Sequence, residues 1–129
     1  MATQTHRVFV VDDEPIIAFT LATILQTHGF DAAPFTEPEA ALEASLDRSP
    51  DLLITDVIMP VISGIELAHR VLGFCPDCKI LLFSGEAGTV QFPDDAKGDG
   101  CFEILTKPVH PTELLGKIQE IFAASIALK

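Results

Sequence analysis

The sequence predicts a doubly wound α/β fold: a five-stranded parallel sheet with helices on both faces. Short β-branched runs alternate along the chain with segments of helical periodicity. Several of those runs are apolar at almost every position, as strands covered on both faces require. The intervals between them suit right-handed helical crossovers, which join consecutive parallel strands.

Taken in order, residues 7–12 read as a first strand, apolar until it ends in acids. Residues 14–28 carry Ile17, Leu21, Ile24 and Leu25 at helical spacing, and Gly29 stands where a left-handed helix terminus is wanted. Residues 30–35 give a weaker strand. Thr36 and Glu39 then have the form of a capping box for a helix over 37–48, with Pro38 tolerated in its first turn. Ser49 and Pro50 break that helix, and 51–55 forms a third strand with Asp56 at its carboxyl end.

A third helix follows over 63–73, then a turn from Cys75 to Cys78, then a strong strand over 79–83. Residues 86–99 contain Gly88, Pro93 and Gly98 and the acids Asp94 and Asp95, so the helix expected there is short, late or irregular. Residues 101–105 read as the fifth strand, and Pro111 opens an amphipathic helix carrying Leu114, Leu115, Ile118, Ile121 and Phe122. The expectation is five strands alternating with five helices.

Composition narrows the function classes. With 129 residues and 48% hydrophobic content, the chain is expected to be a single domain over 1–129. Nineteen acidic against eight basic residues give a formal charge of −11, which opposes direct nucleic-acid binding. The acidity names no partner, since an ordinary solvated face gives the same count. No basic start leads into a long apolar region, and no apolar run reaches membrane-spanning length, so a cytoplasmic protein without a membrane partner is expected. Cys75, Cys78 and Cys101 are odd in number and accompany no secretory pattern, which favours reduced thiols.

The chemistry gathers at strand ends, where ligands bind in open α/β sheets. Asp12 and Asp13 follow the first strand, Asp56 the third and Lys107 the fifth, while Ser84 closes the fourth. If strands one, three and four lie side by side, these side chains share one crevice. Carboxylates about 4 Å apart repel by about 4 kcal/mol per pair at an effective dielectric near 20. A hard divalent ion relieves this, and Mg²⁺ characteristically takes one or two carboxylates with waters and phosphate oxygens. Lys107 then supplies a compact cation for a phosphoryl oxygen, and the Ser84 hydroxyl can donate to another. Asp56 remains as the nucleophile, since carboxylates form acyl phosphates and an ionised one needs no general base.

The ordered set VVDDEP (10–15), DVIMP (56–60), FSG (83–85) and LTKP (105–108) resembles the receiver domains of two-component response regulators over nearly the whole chain. Each word is weak alone, and four in order at strand ends are specific. The resemblance implies a flavodoxin-like sheet of order 2-1-3-4-5. It implies that Asp13, Asp56 and the backbone carbonyl of Ile58 bind Mg²⁺, with Asp12 acting largely through water. It implies further that a sensor histidine kinase or histidine phosphotransferase phosphorylates Asp56, that Ser84 turns inward to the phosphoryl group, that Lys107 forms its salt bridge, and that Pro108 follows a cis peptide. The chain is then a switch that promotes its own phosphorylation and dephosphorylation, not an ordinary enzyme. With little chain after the last helix, its output is expected to pass through another protein.

Three positions bear on how closely the chain follows the family pattern. Ile104 stands three residues before Lys107, where the family usually has Tyr or Phe as a rotating reporter, although Phe102 is close by. Ile58 and Glu86 occupy the places that flank the phosphoryl group and tune its hydrolysis, and an apolar Ile58 should hinder attacking water.

Plainer readings exist for each residue. Acids at 12 and 13 suit a helix N-terminus, Asp56 could cap a turn, Lys107 could be a surface lysine, and serine after a strand often starts a turn. Cys75 and Cys78 form one C-x-x-C without a second pair, which more often marks loop cysteines than a zinc or redox site. His6, His28 and His69 are scattered, and His110 reads as a helix cap. Two rival functions remain: an interaction scaffold that is never phosphorylated, and a metal-dependent phosphohydrolase. The latter usually wants a second acid at the place held by Ile58.

Overall fold

The computed structural model describes residues 5–85 and 102–127, with the side chains of 124–127 excepted. Nine elements are formed there: β1 (Arg7–Val11), α1 (Pro15–Thr27), β2 (Asp31–Phe35), α2 (Pro38–Asp47), β3 (Leu52–Asp56), α3 (Gly64–Phe74), β4 (Lys79–Ser84), β5 (Phe102–Thr106) and α4 (Pro111–Ala127). The strands make one parallel sheet of order β2-β1-β3-β4-β5. The irregular helix expected over 86–99, with Glu86 in it, and Cys101 lie outside the described residues.

Alternation along each strand divides the core into two layers. Val8, Val10, Leu52, Ile54, Leu81 and Phe83 face one side, where they pack with Leu21 and Leu25 of α1 and Leu114 and Ile118 of α4. Phe9, Val11, Leu53, Ile80 and Leu82 face the other, against Ala41 of α2 and Leu67, Ala68 and Val71 of α3. Both faces of the central strands are therefore dry, which explains why they read as continuous apolar runs. Each fully buried Leu or Ile contributes roughly 1.5–3 kcal/mol relative to exposure.

Several boundaries follow local chemistry. Gly29 adopts φ 91°, and the Phe30 N–H closes the end of α1 on the Leu25 carbonyl at 3.1 Å, as the left-handed terminus required. The capping box expected at Thr36 and Glu39 does not form. Pro38 takes the first helical position, so the cap falls on Glu37, which is extended at φ −129°, ψ 130° and makes no side-chain cap bond. α3 is capped instead by Ser63, whose Oγ accepts from the Glu66 N–H at 3.1 Å. His110 does stand at the head of α4, where its carbonyl accepts from the Leu114 N–H at 3.0 Å.

Cys75 and Cys78 bracket a turn closed by the Cys78 N–H on the Cys75 carbonyl at 3.0 Å. Both are buried, unbridged thiols before the amino end of β4, with the Cys75 thiol donating to the Ser45 carbonyl at 3.6 Å. They pack the α2–α3 layer, on the opposite end of the sheet from the acids.

Candidate functional site

Strands β1, β3 and β4 lie side by side, so their carboxyl ends open on one crevice, and β5 beside β4 adds Lys107. The Lys107 N–H donates to the Ser84 carbonyl at 2.8 Å, which ties the end of β5 to that of β4. The peptide between Lys107 and Pro108 is cis.

Asp12 sits one residue past β1 and is 1% exposed. Its Oδ1 accepts from the Glu14 N–H at 2.9 Å, while its buried Oδ2 has no hydrogen-bond partner. Burial pushes the Asp12 carboxyl above its ordinary value; the Glu14 N–H and Lys107 oppose this, and the charges of Asp56 and Asp13 add to it. Asp56, the last residue of β3, accepts from Lys107 Nζ at 2.8 Å through Oδ2, and the same Nζ lies 3.8 Å from Asp12 Oδ2. Burial alone would lower Lys107, but the hydrogen bond and charge of Asp56, then Asp12 and Glu14, hold it above its ordinary range.

Asp12, Asp13 and Asp56 each present an oxygen, and these oxygens all lie within 4.8 Å of one another. Among the described residues this is the one group of acids, histidines or cysteines able to hold a metal ion together. Its donors are hard oxygens. The buried, unbonded Asp12 Oδ2 is the kind of atom that a cation or its water satisfies, so the residues fit Mg²⁺.

Ser84 is buried at the end of β4, one residue past the Asp56–Phe83 register pair. Ile58 lies two residues past Asp56 and is 81% exposed at the mouth of the loop. Ile104 and Phe102 both pack in the α2–α3 layer, with the Phe102 ring 5.9 Å from that of His69.

Sequence reasoning missed three contributors. Glu14 adds to the field on Lys107. Gly64 lets α3 approach the acceptor, since a Cβ there would collide with the Asp56 carbonyl oxygen. Thr55 is a buried hydroxyl directly before the acceptor. Ser63 and Glu66, three residues apart, were the available signal for the start of α3; nothing in the linear pattern marked the close approach at Gly64.

Residues 8–119 match the model of the response regulator receiver domain. The chain is 32% identical over 120 residues to the response regulator receiver protein CpdR of Brucella abortus (strain 2308), covering 92% of this chain and 98% of that protein. It is 31% identical over 119 residues to the DNA-binding response regulator MtrA of Mycolicibacterium smegmatis, again over 92% of this chain but only 51% of the relative's length. Among solved structures it is similar to the chemotaxis protein CheY4 of Vibrio cholerae, with a TM-score of 0.78 and 27% identity over 92% of this chain and 99% of the other. With the predicted strand order present and the family pattern matched across both layers of the sheet, this chain belongs to the response regulator receiver domain family.

Proposed function

We propose that the chain accepts a phosphoryl group on Asp56 from a phosphorylated histidine of a sensor kinase or histidine phosphotransferase, in a Mg²⁺-dependent reaction. The single observation that carries the reading is the convergence of Asp12, Asp13 and Asp56 within 4.8 Å, with Lys107 Nζ 2.8 Å from the acceptor.

In this reading Asp13, Asp56 and the Ile58 carbonyl hold the ion, with Asp12 reached through water. When bound, Mg²⁺ neutralises charge on the acids and on the transferred group. The ionised Asp56 carboxylate attacks phosphorus; the new P–O bond forms as the P–N bond to imidazole breaks, and its electron pair leaves with the imidazole nitrogen. Lys107 exchanges its bond to Asp56 for one to a phosphoryl oxygen, and the Ser84 hydroxyl donates to another.

A groove of about 540 Å³ lined by Ile16, Ile17, Phe83, Pro108 and Val109 reaches Lys107, the residue that bonds the acceptor, and offers the donor protein an apolar surface there. Incubation with acetyl phosphate, with Mg²⁺ or with chelator, followed by peptide mapping, tests the reading. It requires phosphate on the peptide containing Asp56, and only when Mg²⁺ is present.

A further inference from the structure

Thr55 follows three apolar residues in β3, and it is fully buried at 0% exposure. Valine would fill the same volume without the cost of desolvating a hydroxyl, so the hydroxyl calls for a partner. It donates to the Asp56 carbonyl oxygen at 3.0 Å, and Met59 Sδ lies 3.8 Å from the same Oγ1. One proton serves the oxygen better than the sulfur.

Strand alternation sets Asp56 on the α1–α4 side and Thr55 on the α2–α3 side. The acceptor's peptide is thus gripped from the face opposite its carboxylate. The grip is tight: a Cβ on Gly64 would stand 3.1 Å from Thr55 Oγ1, and the Gly64 N–H donates to the Val57 carbonyl at 2.8 Å. Met59 is buried in the same layer and anchors the loop that carries Ile58.

We infer that Thr55 is a positioning residue. Its hydroxyl holds the Asp56 peptide, beside the buried Met59 that anchors the following loop, so that the Asp56 carboxylate and the Ile58 carbonyl are set to meet one Mg²⁺ ion. The inference rests on the proposed Mg²⁺-dependent acceptor site and adds the residue that aligns it.

Two variants separate alignment from packing. Thr55→Val keeps the shape and removes the hydroxyl, whereas Thr55→Ser keeps the hydroxyl and removes a buried methyl. Mg²⁺ affinity is measured by calorimetry on wild type and both variants, with thermal stability recorded beside it. Thr55→Val is expected to weaken Mg²⁺ binding roughly tenfold, as loss of a supporting hydrogen bond around a metal site does, with its melting temperature near wild type. Thr55→Ser is expected to melt lower and to keep wild-type affinity. Wild-type affinity in Thr55→Val, or affinity that falls in step with stability in both variants, overturns the inference. Failure of the wild type itself to bind Mg²⁺ removes the metal reading and the inference with it, a result visible without any variant.

Discussion

Lys107 Nζ donates to Asp56 Oδ2 at 2.8 Å across 51 residues of sequence, so one ammonium neutralises the acceptor that it is proposed to serve. Lys107 is held above its ordinary value of 10.5, because the bond and charge of Asp56 outweigh the effect of burial. A base with a raised folded value adds stability that is whole below 10.5 and is lost as pH climbs through the folded value. Lys107→Met is therefore expected to cost about 1–3 kcal/mol at neutral pH, the range between exposed and buried pairs. The gap between wild type and variant should hold steady up to about pH 10.5 and close above it, as read by urea unfolding across pH.

Asp12 is shifted in the same direction for a different reason. Its carboxyl is raised mainly by burial, so the favourable state in the fold is the protonated one; that contribution is present below 3.8 and is lost as pH rises through the folded value. Without metal, a charged carboxylate in this buried place is costly. Asp12→Asn, which keeps an acceptor for the Glu14 N–H, should stabilise the metal-free protein by about 1–2 kcal/mol, a rise of a few degrees in melting temperature. Mg²⁺ should raise the melting temperature of wild type more than that of Asp12→Asn, which keeps the direct ligands of the proposed site and loses one charge.

The loop beyond Asp56 holds strain next to a close contact. Val61 adopts φ 76° in a three-residue turn, with the Ile62 N–H on the Pro60 carbonyl at 2.9 Å, a conformation costly for a β-branched residue. Its side chain is 83% exposed, so replacement forfeits little packing. Val61→Gly should gain about 1 kcal/mol by chemical denaturation. Gly64→Ala should lose about 1–3 kcal/mol, because the added carbon collides with the Asp56 carbonyl.

Ile58 offers no hydrogen bond to a water at the mouth of the site, and its exposure leaves it free to shield a phosphoryl group there. Ile58→Asn should shorten the life of the acyl phosphate several-fold, measured as decay of phosphoprotein after the donor is removed. An unchanged decay rate refutes the shielding role.

Much of this architecture was legible in the linear chain, for reasons visible in particular residues. The runs through Val8–Val11 and Leu52–Ile54 are apolar on both faces because helices cover both faces, and Gly29 marked its own left-handed turn. Asp12, Asp13, Asp56 and Lys107 could be nominated from strand ends alone; that they share one crevice depends on strand order, which the four motif words implied and local pattern did not. The misplaced cap at Thr36 shows a motif overruled by Pro38. Thr55 and Gly64 escaped notice because their importance lies in how closely β3 and the head of α3 approach each other, which no spacing encodes.

The most direct test of the central claim is intact mass after exposure to acetyl phosphate and Mg²⁺, on wild type and on Asp56→Asn. The account predicts the mass of one added phosphoryl group on wild type, absent when a chelator replaces Mg²⁺ during the exposure, and none on Asp56→Asn. An unmodified wild type, or an equal adduct on Asp56→Asn, contradicts it.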